Sequence, residues 1–312
     1  MSQETPSDQP TPGFSLADAI AAVGQGDFSH RVLISFSDLD RNRARELKQR
    51  WSELDEVTRA RLIQALDELG EMSIQHNFSR VFRIGLADAS DQVRQRSVAA
   101  LWEDESSDLL DELIALLADP SQDVRAAAAQ ALGAFALRCE EGELSETDAS
   151  RIYSSLGRLA ADDQESRLVQ RRALESLAPF GKRPAVQRLI RSAYEHDDQM
   201  LRAGAVFAMG RSLDSRWFST VLNELDNADP EMRYEAARAC GEFGDNRAVE
   251  GLARLTSDTD AEVRLAAVDA LARIASPGSE RVLRRLAERA SGEEQEAIVE
   301  ALEHISAMDV ED

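Results

Sequence analysis

Basic residues, cysteines, aromatics and long apolar runs are all scarce in this chain, and each scarcity excludes something. Lys and Arg number 36 against 58 Asp and Glu, a formal charge of −22. Such a molecule repels phosphate backbones and anionic lipid surfaces, so neither nucleic acid nor membrane is expected as a partner. Two cysteines, Cys139 and Cys240, cannot build a disulfide framework or a multi-cysteine zinc site, and they suit a reducing cytoplasm. No run of about 20 apolar residues occurs, so no membrane-spanning helix is expected. Residues 1–13 are rich in Ser, Thr, Gln and Pro, with no basic start and no apolar core; they read as a disordered tail, not a secretion signal. What is present is enough to fold: 43% of the 312 residues are hydrophobic, which argues against wholesale disorder.

The apolar residues are periodic on a long scale. The segment Val124-Arg125-Ala126-Ala127-Ala128-Ala129-Gln130-Ala131-Leu132-Gly133 recurs from Val93 to Trp102 and from Val263 to Ala272, giving the template V-R-x-x-A-x-x-A-L-G. Looser copies begin at Val169, Leu201 and Met232, and degenerate ones at Thr58 and Glu294. From Val169 onward the starts fall every 31 or 32 residues, the signature of a repeat array. Apolar positions at offsets 0, 4, 7 and 8 form one buried stripe on a helix. A second stripe follows a polar turn, as in Leu109, Leu110, Leu113, Leu116 and Leu117. Each unit is therefore a helical hairpin too small to bury its own face, and stability must come from stacking. The expected fold is all-α, a right-handed α-α superhelix of about eight hairpins spanning residues 55–305.

Alanines at shared offsets, among them Ala100, Ala131, Ala208, Ala239, Ala270 and Ala301, allow close helix approach along one seam. Gly133, Gly210 and Gly241 read as left-handed caps near first-helix ends, and Asp119-Pro120 and Asp229-Pro230 as capping carboxylates before a first-turn proline. Residues 14–54 read as a helical cap, with helices over 14–23 and 38–51 joined by a linker. An acidic insertion lies at 138–148, and Ser145 to Asp148 resembles a capping box. At the far end Glu296, Glu300 and Glu303 read as a polar cap, followed by an acidic tail over 306–312.

The template, preceded by turn acids such as Asp88, Asp119 and Asp258, resembles the HEAT-like repeat of the phycobilisome bilin-lyase type over roughly residues 55–305. That superfamily includes bilin lyases, deoxyhypusine hydroxylases, related DNA-repair glycosylases and scaffolds that only bind protein, so the resemblance implies fold without choosing an activity. The hydroxylases hold two irons on His-Glu pairs. The element corresponding to their R-H-E-A-A is here Arg233-Tyr234-Glu235-Ala236-Ala237, with tyrosine in place of histidine. His30, His76, His196 and His304 share no repeat offset, so no metal and no cofactor are expected. Cys139 has no histidine within sequence reach and lies among Glu140, Glu141 and Glu143, which suppress its thiolate.

Two sets of residues remain. Arg94, Arg125, Arg202, Arg233 and Arg264 follow each opening apolar residue and are expected to meet the turn acids Asp88, Asp119 and Asp258 in a structural ladder. The second helices of the C-terminal half carry Arg188, Arg191, Arg254, Arg281 and Arg285. With second helices on the concave side, this face is expected to grip an acidic segment of a protein, with Trp217 as an exposed anchor. The expected function is a non-catalytic, cytoplasmic protein-interaction scaffold; the alternative is a bilin-lyase-like or deoxyhypusine-hydroxylase-like enzyme on the same fold.

Overall fold

The computed structural model describes residues 14–73 and 75–311; the expected disordered tail, residues 1–13, lies outside them. Among the described residues there are eighteen α-helices, linked by turns and short 3-10 segments, and no strand. No described helix is long and apolar enough to cross a membrane. The chain forms two compact units, Met1–Ala128 and Ala129–Asp312.

The first unit contains α1 (Leu16–Gly24), α2 (His30–Leu33), α3 (Arg41–Arg50), α4 (Glu56–Met72), α5 (Ser79–Gly85), α6 (Asp91–Ala99) and α7 (Ser107–Leu116). Side-chain oxygens of Ser15, Asp40 and Asp55 accept first-turn amides of α1, α3 and α4, satisfying donors that have no partner inside the helix. The segment expected as a linker is folded. It forms α2 and a 3-10 turn at Ile34–Phe36, because Val32, Leu33 and Phe36 are fully or almost fully buried and helical turns satisfy their backbone. Helix α6 packs on α4 and α5, while α1 packs on α3 and α4.

The division between the units falls within α8 (Gln122–Glu140). The acidic insertion is a loop over 141–145 between two helix ends: α8 runs to Glu140, and α9 (Glu146–Ala160) opens on Ser145, whose hydroxyl accepts the Asp148 amide at 3.1 Å. The second unit continues with α10 (Arg167–Ser176), α11 (Pro184–Tyr194), α12 (Gln199–Arg211), α13 (Phe218–Glu224), α14 (Pro230–Phe243), α15 (Val249–Leu255), α16 (Ala261–Ile274), α17 (Pro277–Ala287) and α18 (Glu293–Glu311). The backbone expected as an acidic tail is thus helical to Glu311.

Within this unit the first helices α10, α12, α14, α16 and α18 pack side by side in order. Each of α11, α13, α15 and α17 packs on the first helix that follows it, and among these second helices only α15 and α17 pack closely on each other. The glycines explain the difference. A Cβ at Gly210 would stand 2.6 Å from the Ala239 Cα, and one at Gly241 2.9 Å from the Ala270 Cα. These residues lie inside helices without positive φ; they are contact glycines, not the left-handed caps expected from their position. The cap of α14 is Gly244, at φ 63°.

Candidate interaction surface

Where the turn acid of the next repeat is kept, the arginine after the opening apolar residue does two jobs at once. Arg94 donates from Nε and Nη2 to Asp119 at 2.8 and 2.7 Å, and from Nη1 to the Asp88 and Ala89 carbonyls of its own preceding turn at 2.9 and 3.0 Å. Arg233 repeats this with Asp258, at 2.7 and 2.8 Å, and with the Asn227 and Ala228 carbonyls. Asp88 receives Arg59 at 2.7 and 3.1 Å and the Trp51 indole N–H at 2.6 Å; Arg59, in the degenerate first copy, had not been placed in the ladder. Each aspartate also accepts an amide two residues on, that of Ser90, Ser121 or Asp260. Burial opposes the charge of Asp88 and Asp119, yet the guanidinium and amide donors outweigh it and hold both carboxyls below their usual range. Arg233 does the same for Asp258. Asp119 is thus a clamp residue; α8 starts only at Gln122, so Pro120 is not its first helical residue.

The ladder is interrupted where its acid is replaced. Counting 25 residues on, as from Arg94 to Asp119 and from Arg233 to Asp258, the acid's position holds Asn227 for Arg202 and Arg289 for Arg264. The Arg202 Nε is buried with no hydrogen-bond partner among the described residues. Arg264 instead approaches Glu294 at 3.5 Å. Arg125 holds the Asp119 and Pro120 carbonyls of its own turn at 2.7 and 3.1 Å.

The tryptophan expected as an exposed anchor is buried. Trp217 is only 5% exposed, because it closes the start of α13 against the core, and it anchors nothing from outside. Arg191 lies over its ring at 5.8 Å. Arg254 is held by Asp226 at 3.0 and 3.1 Å. Arg188, Arg281 and Arg285 are exposed. The tryptophan that does face solvent is Trp102, 64% exposed. Its position gives the signal that identifies it: it occupies the offset that holds Gly133, Gly210 and Gly241 in other copies.

On the first-helix layer of the second unit, Gly204 of α12 leaves room for Arg171 of α10 to cross to α14. A Cβ there would lie 2.8 Å from the Arg171 Cγ. Arg171 contacts Glu175 at 2.7 Å, Glu231 at 2.6 Å and Glu235 at 3.4 Å. Glu235 is 5% exposed. Burial, with Glu175 and Glu231 beside it, pushes its carboxyl up to about 7 against the pull of Arg238 and Arg171. Among the described residues no group of three or more His, Cys, Asp and Glu side chains could hold a metal ion. Neither cysteine is activated: burial, then Asp148 and Glu140, raise Cys139, and burial takes Cys240 to about 12.

Further along the same layer, a groove of about 930 Å³ runs between α16 and α18. Leu265, Val268, Ala272, Ala297 and Ala301 form its apolar floor, and Asp269, Arg273, Glu296, Glu300, Glu303 and His304 stand around it. The three glutamates expected as a polar end cap thus face a cleft. A recess of about 220 Å³, lined by Ala261, Arg264, Leu265, Ser291 and Glu294, adjoins it at Leu265.

The sequence profile described as HEAT repeats matches residues 79–150 and 218–303, just over half of the chain. The chain belongs to the HEAT-repeat family. Its fold class is accordingly the all-α, HEAT-type α-α superhelix. The complex of CpcE and CpcF of phycocyanin lyase from Nostoc sp. PCC7120 is similar at 17% identity and TM-score 0.53, covering 98% of this chain and 100% of that one. Importin beta is similar at 15% identity and TM-score 0.49, over 93% of this chain and 44% of that one. Human deoxyhypusine hydroxylase gives 18% identity and TM-score 0.35, over 77% and 99%. At these identities the likeness is one of HEAT fold alone. No curated protein matches the sequence.

Proposed function

We propose that this chain is a non-catalytic HEAT-repeat scaffold of the bilin-lyase repeat type, working in the cytoplasm by binding a protein partner. The observation that carries the reading is Trp102, 64% exposed while Trp51 and Trp217 are 8% and 5% exposed. Leaving so large an apolar ring in water is costly, and tryptophan is enriched among residues that dominate protein interfaces. The repeat offset it occupies elsewhere holds glycine, so packing within the repeat does not call for it. The remaining chemistry supports the same reading: both thiols are held protonated, and Glu235, at the offset of a hydroxylase ligand, is engaged by Arg171 and Arg238 beside a tyrosine.

Purification of the tagged chain from its native host tests this. A protein partner is expected in stoichiometric yield, and Trp102→Ala is expected to weaken its recovery about tenfold while leaving the circular dichroism unchanged. Recovery of no such partner, or a preparation carrying iron or a bilin chromophore, overturns the scaffold in favour of the lyase or hydroxylase alternative. The finer reading, an acidic segment held on the second-helix face of the second unit, rests on the exposed Arg188, Arg281 and Arg285. Reversing these three to Glu should abolish capture of an acidic partner, and unchanged capture removes the reading.

A further inference from the structure

The junction between α16 and α18 differs from the α14–α16 junction at two registered positions, and the groove lies there. At the offset where Gly210 and Gly241 admit the next helix, α16 carries Ala272, and the facing offset carries Ala301. A methyl cannot be housed at the separation of α12 and α14, where a Cβ would stand 2.6 Å from a backbone atom of the next helix. At the position of Asp119 and Asp258 stands Arg289, so the forked clamp is replaced by the 3.5 Å approach of Arg264 to Glu294. The groove between these helices has an acidic rim, and of its apolar lining Leu265 and Ala297 are half-buried while Val268, Ala272 and Ala301 lie buried at its bottom.

We infer that this groove docks one basic amphipathic helix of the partner protein, its apolar face on the floor and its Lys or Arg flanks against Glu296, Glu300 and Glu303. The inference rests on the scaffold reading and specifies its partner. Both walls are helices whose backbone hydrogen bonds are already made, so there is no strand edge for an extended peptide, whereas a groove with the half-buried Leu265 and Ala297 in its lining suits the ridge of a third helix. Three glutamates and Asp269 surround the floor, and the one arginine there, Arg273, is already held by Asp269 at 2.8 Å and Glu242 at 3.2 Å. Charge disfavours the other occupants. A second copy brings a net charge of −22 to an acidic rim, and residues 1–13 contain Glu4 and Asp8 but no Lys or Arg.

The test uses the full chain and a fluorescent helical peptide of about 16 residues, leucine and alanine on one face and lysine on its flanks. Fluorescence anisotropy should show binding that weakens about tenfold between low and moderate salt, as rim pairs are screened. Glu296→Lys with Glu300→Lys, both at exposed positions, should weaken it about tenfold or more. Glu195→Lys with Glu250→Lys, carrying the same net charge elsewhere on the surface, should leave it within about twofold. A peptide with its leucines replaced by glutamine should not bind. Equal binding to both double variants, or equal binding of the glutamine peptide, overturns the groove as a docking site. A stoichiometric native partner together with a failed peptide test removes the groove alone; absence of any partner removes the scaffold itself.

Discussion

A single carboxylate on the first-helix layer sets a pH dependence opposite to that of the clamps. Glu235 is raised from 4.5 to about 7, so the folded chain holds this proton more tightly than the unfolded chain does. Its contribution is fully present below about pH 4.5 and is lost as pH rises through about 7, amounting to at most about 3 kcal/mol. Asp88, Asp119 and Asp258 are lowered, so their contribution is present above about pH 4 and lost as pH falls through their folded values. Glu235→Gln should therefore flatten the decline in unfolding free energy between pH 5 and pH 8 seen in chemical denaturation; equal slopes in both proteins refute the assignment. The interrupted ladder gives a second expectation. Asn227→Asp restores the acid that Arg94 and Arg233 have, and should stabilise the fold by about 1 kcal/mol. Part of the gain is offset because Glu224, which accepts the Asn227 amide at 2.6 Å, would then face a second carboxylate. The gain should vanish in an Arg202→Met background; if it persists there, Arg202 is not the partner.

At the scale of helices, one substitution changes sign with its surroundings. Gly157→Ala in α9 meets nothing within 4 Å and should stabilise by about 0.5–1 kcal/mol through helix propensity. Gly210→Ala gains the same propensity but drives a methyl to 2.6 Å from Ala239, with an overpacking cost of about 1–3 kcal/mol. Thermal melts should move in opposite directions, and matching shifts would show that the seam is looser than these distances. The helices and the partners Asp119 and Asp258 were legible in the sequence because apolar period and arginine-to-acid spacing are local, repeated signals. The role of Gly210 was not, since a glycine near a stripe's end reads equally as a stop or as a contact. Trp102 and Ala272 were within reach, each being a departure from the glycine series, but their meaning required knowing that the series marks contacts.

For the whole molecule, repeat arrays are held by nearest-neighbour contacts, so cooperativity extends only as far as those contacts are strong. The second unit has them in a row: glycine contacts from α12 to α14 and from α14 to α16, with the Arg233 clamp across the latter. In the first unit α6 is only 9 residues long, and Trp102 at the contact offset is exposed. The first unit is therefore expected to unfold at the lower denaturant concentration. Trp51, 8% exposed and bonded to Asp88, reports that unit once Trp102 and Trp217 are replaced by Phe. The second replacement forfeits no hydrogen bond, since the Trp217 indole N–H has no partner among the described residues. In urea, Trp51 fluorescence should reach its midpoint before the far-ultraviolet circular dichroism, which registers the helices of both units. Superimposable curves from the two probes would mean that α8 transmits folding between the units as strongly as the glycine seam does within the second, and the expectation of two transitions would fail.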